Sequence, residues 1–511
     1  MIEASVRAGL AAIVGLALWW SWRRARPGVD VAVIVGIALA VRGILGAALF
    51  WVSYLELPIA RSLQLGNGFW FIAWDGLDYF RYADAAVADG LPGILRLDTS
   101  LPSPMYIRTL AFVMYIVGRV PSAALLLNLL AFLGLCAAIV QLSTRARASR
   151  LTTVFALAAV GFSPSWILWS VQPLKDSFFM CLVGAYTLCL FLWLDHRSSG
   201  GRRLSASAAV ATYAGLWGAL YAISGIRWYF ATLILGATWL GWLVAVLPGG
   251  WRGYRRAAAG VVLAAALSQA VPIGAGSYLP GWIRPLFRPG TESVQRLRDA
   301  PARALKMMDT FRDRSAAEGD TGIHLRTNAE PRPEPAPVAV SSPADALALP
   351  PTASEKPAAF DVSGGAIVPA PRTRAPETVA EKVFVGAVAM VVPRWLGSTL
   401  GWIDVGGGRG LWVFAEIDTL CFDLVLAGAI VGIAVRLRRR AVPHPACWPL
   451  FLVTVAMAVL LAYDGGNFGT LFRHRGMVYI GLVLLPLLFG PSTHADDGAR
   501  EALRPSRPGA P

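Results

Sequence analysis

The chain has 511 residues, 56% of them hydrophobic and only 15% charged, with a mean hydropathy of +0.55. Soluble domains carry about a quarter charged residues, so the composition excludes a large soluble enzyme and indicates a polytopic membrane protein. The net charge of +15 does not signal nucleic acid, because the arginines sit in short loops between apolar runs, as the positive-inside rule places them.

The first apolar run, residues 8–22, is followed by Arg23, Arg24 and Arg26. A cleaved signal peptide carries its charge before the apolar region. The reversed order predicts an uncleaved helix with its N-terminus outside, so that residues 1–30 are this helix and a basic inner loop. Residues 31–276 then form a transmembrane module. Its first span, 31–52, contains Arg42, which needs a partner or a polar cavity.

The first outer loop, residues 53–120, holds Trp74-Asp75-Gly76-Leu77-Asp78-Tyr79-Phe80-Arg81-Tyr82-Ala83. As a helix, this stretch puts Asp75, Asp78, Tyr79 and Tyr82 on one face, since residues three and four apart are neighbours. The apolar run from Ser103 to Gly118 falls short of the roughly twenty residues that a span needs and reads as an interfacial helix. Counting it as a span would also place Arg145, Arg147 and Arg150 outside.

Six spans then alternate: 121–142, 151–170, 177–194, 205–226, 228–247 and 257–276. Gln172-Pro173-Leu174-Lys175-Asp176 makes the second outer turn. Residues 277–410 form a long outer segment whose Pro- and Ala-rich part, 328–377, is predicted to be disordered. Residues 383–392 are too short to span and read as interfacial or re-entrant. The C-terminal region, 411–490, contributes spans at 412–435, 448–463 and about 469–490, and a disordered inner tail, 491–511, follows. The proposed inner loops hold 16 arginines, whereas the outer segment from Arg284 to Lys382 holds 14 Lys/Arg against 13 Asp/Glu. The expectation is an all-α polytopic protein of about eleven transmembrane helices, N-terminus out and C-terminus in, with outer juxtamembrane helices. The five cysteines lie in or beside apolar runs without metal-ligand spacing and read as small core residues.

This topology gathers Asp75, Asp78, Arg81, Lys175, Asp176, Arg227, Asn467, Thr470, Arg473, His474 and Arg475 at the outer face. Guanidinium forks match phosphate oxygens. Carboxylates suit deprotonation of a hydroxyl or a divalent cation. Trp74, Tyr79 and Tyr82 suit a sugar ring. Each group also has a plainer reading. Asp75 makes a good N-cap, Asp176 caps the helix that starts beside it, and Arg227 beside Trp228 and Tyr229 fits a snorkelling belt. Arg473 and Arg475 diverge around a helix start, where lipid headgroups would occupy them. His474 reads as a bystander, and Glu416 and Asp418 as first-turn capping residues.

The Trp74–Ala83 stretch resembles the first-loop "WDG…Y…A" signature of the C-type (GT-C) superfamily of membrane glycosyltransferases, which includes dolichyl-phosphate-mannose-dependent mannosyltransferases. The order of parts over residues 30–250 is similar too: Pro104-Met105-Tyr106, an Asn-Leu-Leu-rich span at Asn128, Ser163-Pro164-Ser165-Trp166, then Lys175-Asp176. The resemblance implies an inverting transferase on the outer side of the bacterial cytoplasmic membrane. It would take a polyprenyl-phosphate-linked sugar donor and a glycan, lipid or protein acceptor among the membrane lipids. It also implies Asp75 as the catalytic acid with Asp78 as its rival, and Asp176 as the second-loop acid. Lys175, Arg227, Asn467, Arg473 and Arg475 would bind substrate. A divalent cation (Mg or Mn) would fall to Asp75, Asp78 and Asp176. The stretch Asn467–Arg475 resembles a segment of bacterial polysaccharide-related membrane proteins, which leaves an O-antigen-polymerase- or ligase-like glycan polymerase as an alternative. A lipid-linked glycan transporter is a third, although no inverted repeat is evident and the polar residues gather at one face rather than at mid-depth. The Pro-rich insert departs from the superfamily pattern, because it stands where many members carry a folded outer domain.

Overall fold

The computed structural model describes residues 15–16, 19–20, 22–23, 28–97, 101–197, 205–246, 323–326, 373–374, 378–393, 396, 403–405, 412–439, 441, 443–464 and 468–489. Within them the chain is mostly helical, and six helices are long and apolar enough to cross a membrane. These are Val29–Tyr54, Ser122–Arg145, Asp176–Asp195, Ala206–Ser224, Phe414–Arg438 and Leu471–Leu488. The helix pair Arg150–Phe162 and Pro164–Ser170, bent by 55°, makes a seventh if it is one span. The architecture is that of a helical membrane protein. The spans expected at 8–22 and 257–276 lie wholly or largely outside the described residues, as does nearly all of the stretch 328–377. Within that stretch Thr373–Arg374 is a short strand.

We number the helices α1 (Val29–Tyr54), α2 (Trp74–Ala88), α3 (Gly90–Leu95), α4 (Pro104–Val117), α5 (Ser122–Arg145), α6 (Arg150–Phe162), α7 (Pro164–Ser170), α8 (Asp176–Arg197), α9 (Ala206–Ser224) and α10 (Trp228–Val246). There follow α11 (Val379–Val391), α12 (Trp412–Arg438), α13 (Cys447–Asp464), α14 (Phe468–His474) and α15 (Gly476–Leu484). Short strands interrupt the helical pattern. Strands β1 (Gln64–Gly66) and β2 (Phe69–Trp70) form an antiparallel hairpin, and β3 (Ile323–Arg326) pairs with both β4 (Thr373–Arg374) and β5 (Ile403–Val405).

Small residues set the closest helix approaches, as membrane packing favours. A Cβ at Gly386 of α11 would collide with the backbone of Ala462 in α13, and one at Gly134 of α5 would lie 2.8 Å from Cys181 Sγ in α8. The short apolar helix α4 buries Tyr106, Ile107, Leu110, Ala111 and Met114, and it packs on α2.

The bend between α6 and α7 is stabilised at both of its open ends. Arg42, near the middle of α1 and only 1% exposed, donates from Nη1 to Gly161 O (2.6 Å) and Ala38 O (3.2 Å), and from Nη2 to Val160 O (2.9 Å). Tyr479 Oη donates to Ala159 O at 3.0 Å. A cation therefore meets the carbonyl end of α6. An anion meets the amide end of α7, where Asp418 Oδ1 accepts from Ser165 N (2.8 Å) and Ser163 Oγ (3.1 Å). Both signs follow the helix dipole. A charge at mid-span costs about 3 kcal/mol on insertion scales; its bonds to the open carbonyls at the bend offset part of that cost.

Candidate active site

The hairpin ahead of α2 sets the position of Asp75. Its two-residue loop is Asn67-Gly68, both with positive φ (53° and 87°), the pairing that a tight hairpin turn of right-handed strand twist requires. Ser53 Oγ at the end of α1 donates to Phe69 O (2.6 Å), and Trp70 Nε1 donates to Leu49 O (2.9 Å). The hairpin is thereby tied to α1, and α2 starts four residues after β2. Gly76 then permits the critical approach, since a Cβ there would stand 2.7 Å from Pro173 Cγ and 3.1 Å from Pro173 O. The Gln172–Asp176 turn is held from the other side by buried Asn128, whose Nδ2 donates to Gln172 O at 2.5 Å.

These constraints bring the first residues of α2 against the first residue of α8, and α14 closes the gap. Arg473 Nη1 donates to Asp75 Oδ2 at 2.7 Å, and its Nε donates to Asp176 Oδ2 at 3.2 Å. One guanidinium thus spans two carboxylates that lie nearly four hundred and nearly three hundred residues away in sequence. The other oxygen of Asp176 accepts from Arg227 Nη2. Arg227 is buried between α9 and α10, and its Nη1 donates to Tyr229 Oη at 2.6 Å. Exposure is graded across the cluster: the side chains of Arg227 and Asp176 are buried, Arg473 is 16% exposed and Asp75 is 49% exposed. Asp75 is thus the carboxylate at the mouth, with the guanidinium pair behind it.

Lys175 adds a further cation. Its Nζ donates to Ser103 Oγ at 2.6 Å and lies 5.5 Å from the centre of the Tyr79 ring. Burial, together with the nearby Arg227 and Arg473 charges, lowers the Lys175 ammonium to about 7. Ser103 is a residue that sequence reasoning did not single out by itself. It sits at φ 59° ahead of α4, and its hydroxyl donates to Ile226 O at 3.1 Å. Its only sequence signal is that it precedes Pro104.

Several expected site residues lie elsewhere. Arg475 is buried, pairs with Asp418, and donates from Nη1 to Thr419 Oγ1 (3.0 Å) and Met390 O (3.1 Å). Residues two apart on a helix point roughly 200° from each other, so Arg473 and Arg475 serve separate networks. Asp418 lies in the second turn of α12 rather than its first; its carboxylate caps α7 and balances Arg475. Tyr79 cannot stack on a sugar, because it is buried edge-on against Tyr106 at 5.3 Å. Burial and the Asp75 charge raise its hydroxyl to about 12, which keeps it neutral. Asp78 is half-exposed and, among the described residues, lies 3.9 Å from Arg81 rather than at the cluster. Trp74 and Tyr82 are exposed on α2. Asn467 lies outside the described residues.

A divalent cation does not fit the carboxylates as placed. Among the described residues no three His, Cys, Asp or Glu side chains gather as ligands. Asp75 and Asp176 are separated by Arg473, and Asp78 points elsewhere. The cluster instead carries more cations than anions, which suits an anionic group. No protein-family model, curated protein or solved structure matches the chain.

Proposed function

We propose that the chain is a membrane glycosyltransferase of the GT-C type, with about eleven spans. It would move a sugar from a polyprenyl-phosphate donor to an envelope glycan, lipid or protein acceptor on the outer face of the bacterial cytoplasmic membrane. The observation that carries this reading is the meeting of Asp75 and Asp176 on the guanidinium of Arg473, with Arg227 and Lys175 behind them. A reaction that separates a sugar from a phosphate needs a base for the acceptor and positive charge for the leaving group. In this scheme Asp75, the half-exposed carboxylate, takes the proton of the acceptor hydroxyl. The hydroxyl oxygen bonds to the anomeric carbon from the face opposite the phosphate, the bond from that carbon to the phosphate oxygen breaks, and the configuration inverts. The released phosphate keeps the electron pair, stabilised by Arg473, Arg227 and Lys175. Asp176 is a positioning residue, because both of its oxygens hold arginines.

The test is transfer from radiolabelled polyprenyl-phosphate sugars by the purified protein, with and without chelator. Loss of the general base costs about 10²–10⁴ in rate, so Asp75→Asn stays folded but loses transfer by at least a hundredfold. Turnover retained by that variant would remove Asp75 from the chemistry. Growth of the product in multi-sugar blocks would favour a polymerase instead.

A further inference from the structure

Behind the carboxylate cluster lies a cavity of about 20 Å³, walled by Arg42, Trp166, Trp169, Asp176, Arg473 and Gly476. An occupant the size of one water needs about 10–15 Å³, so the cavity admits one heavy atom. Its wall residues carry four buried N–H donors without a hydrogen-bond partner among the described residues: Arg42 Nε, Trp166 Nε1, Trp169 Nε1 and Arg473 Nη2. Buried donors are nearly always satisfied, so four on the residues that line one small cavity mark it as a site. The space in front of Trp166 depends on residue 476 having no side chain. A Cβ on Gly476 would lie 3.4 Å from Trp166 Nε1 and 2.9 Å from the flexible Cε of Met180.

Charge identifies the occupant. Asp176 in the wall is already matched twice, by Arg227 and Arg473. Arg42 is not matched: its bonds all go to carbonyl oxygens, and it makes no ion pair among the described residues. A buried cation without a counter-charge is strongly disfavoured. Water accepts two hydrogen bonds and brings no charge, whereas an anion accepts from several donors and neutralises Arg42. We propose that this cavity is a binding site for a monatomic anion of the chloride class. The anion holds Trp166 and Trp169 at the α6–α7 bend. It also occupies the donor of Arg473 that Asp75 and Asp176 leave over, which fixes that guanidinium between them.

The test uses the full-length protein in detergent and needs no transfer assay. Unfolding temperature is followed against sodium chloride, bromide, gluconate and phosphate at constant ionic strength, and bromide-soaked crystals are examined for anomalous scattering. Chloride and bromide stabilise saturably and gluconate does not; an anomalous bromide peak falls between Arg42 and Trp169. Trp169→Phe removes one donor and keeps the ring, and Gly476→Ala fills the space, with only Met180 Cε having to shift. Each weakens the apparent halide affinity at least tenfold without altering any charge. Equal stabilisation by gluconate, halide affinity unchanged in both variants, or stabilisation by phosphate alone would each overturn the site.

Discussion

The buried Asp418–Arg475 pair offers the sharpest test of how the fold supports the site. Both side chains are 3% exposed, and Arg475 also lies over the rings of Phe422 and Phe472. Removing one member of such a pair leaves an uncompensated charge, at a cost of about 3–5 kcal/mol, or more than a hundredfold in the folded-to-unfolded ratio. Arg475→Leu strands the Asp418 carboxylate. Asp418→Leu strands the Arg475 guanidinium and also strips the cap from α7, worth about 1 kcal/mol more. The double variant removes both charges and loses mainly the cap and the bonds to Thr419 and Met390, so it should be much more stable than the sum of the singles. The assay is a double-mutant cycle on thermal unfolding in detergent. Additive losses, or singles costing less than about 1 kcal/mol, would refute the claim that this pair holds the α6–α7 bend. Asp75→Asn belongs in the same series as a contrast. Its ion pair is half-exposed, where such pairs contribute about 0–1 kcal/mol, so that variant loses chemistry and keeps the fold.

Lys175 predicts a pH profile. Folding lowers its ammonium from 10.5 to about 7. Between those values the unfolded chain holds a proton that the folded chain lacks, so stability rises with pH from about 7 upward. Below 7 both states are protonated and the full penalty of burying the charge persists. Above about 10 the buried Tyr79 hydroxyl opposes the rise, because its own value moves up on folding to about 12. The other groups facing Lys175 are Arg227, Arg473, Asp176, Asp75 and His474. Lys175→Met should flatten the rise between 7 and 10 in thermal unfolding, and a wild-type profile already flat there would contradict the assignment. By contrast, Arg119→Ala should leave both unfolding temperature and transfer unchanged, because Arg119 and Asp84 pair in solvent on α2 and beyond α4, away from the cluster. A clear loss in either measurement would show that this surface pair does more than its exposure suggests.

Hydropathy and charge bias made the membrane helices legible, because a span must be apolar over a fixed length whatever it packs against. Position 42 was legible in kind: an arginine inside an apolar run had to find partners, and it found the carbonyls at the α6–α7 bend. The acids were legible as types at chain positions, and Asp75 and Asp176 do meet. What the linear pattern could not say was which faces meet. Tyr79 shares a helical face with Asp75 on paper, but α4 covers it. The Asn67-Gly68 turn was readable as a hairpin signal and passed unnoticed among the aromatics. Ser103 could not be found at all, since its role comes from Lys175 and Ile226 reaching it from other parts of the chain.

The Arg473-His474-Arg475 run shows why such a site can be both reactive and stable. Arg473, at the end of α14, bridges the half-exposed Asp75 to the buried Asp176, and Arg475, just beyond, is sunk in a matched pair with Asp418. A phosphate of the proposed donor that competes for Arg473 would weaken its contact with Asp75, which is half-exposed and therefore costs little to release. It does not disturb Arg475, so α14 and α15 keep their places while the guanidinium changes partners. On the proposed mechanism, Asp75 would then be freed as a base at the moment that a phosphate engages Arg473. On this account, binding of a phosphate-bearing donor should raise the reactivity of Asp75 toward a water-soluble carbodiimide while leaving the labelling of Asp78, which pairs in solvent with Arg81, unchanged. Protection of both carboxylates alike would mean that the donor only covers the mouth, and the coupling between leaving-group recognition and base release would be lost.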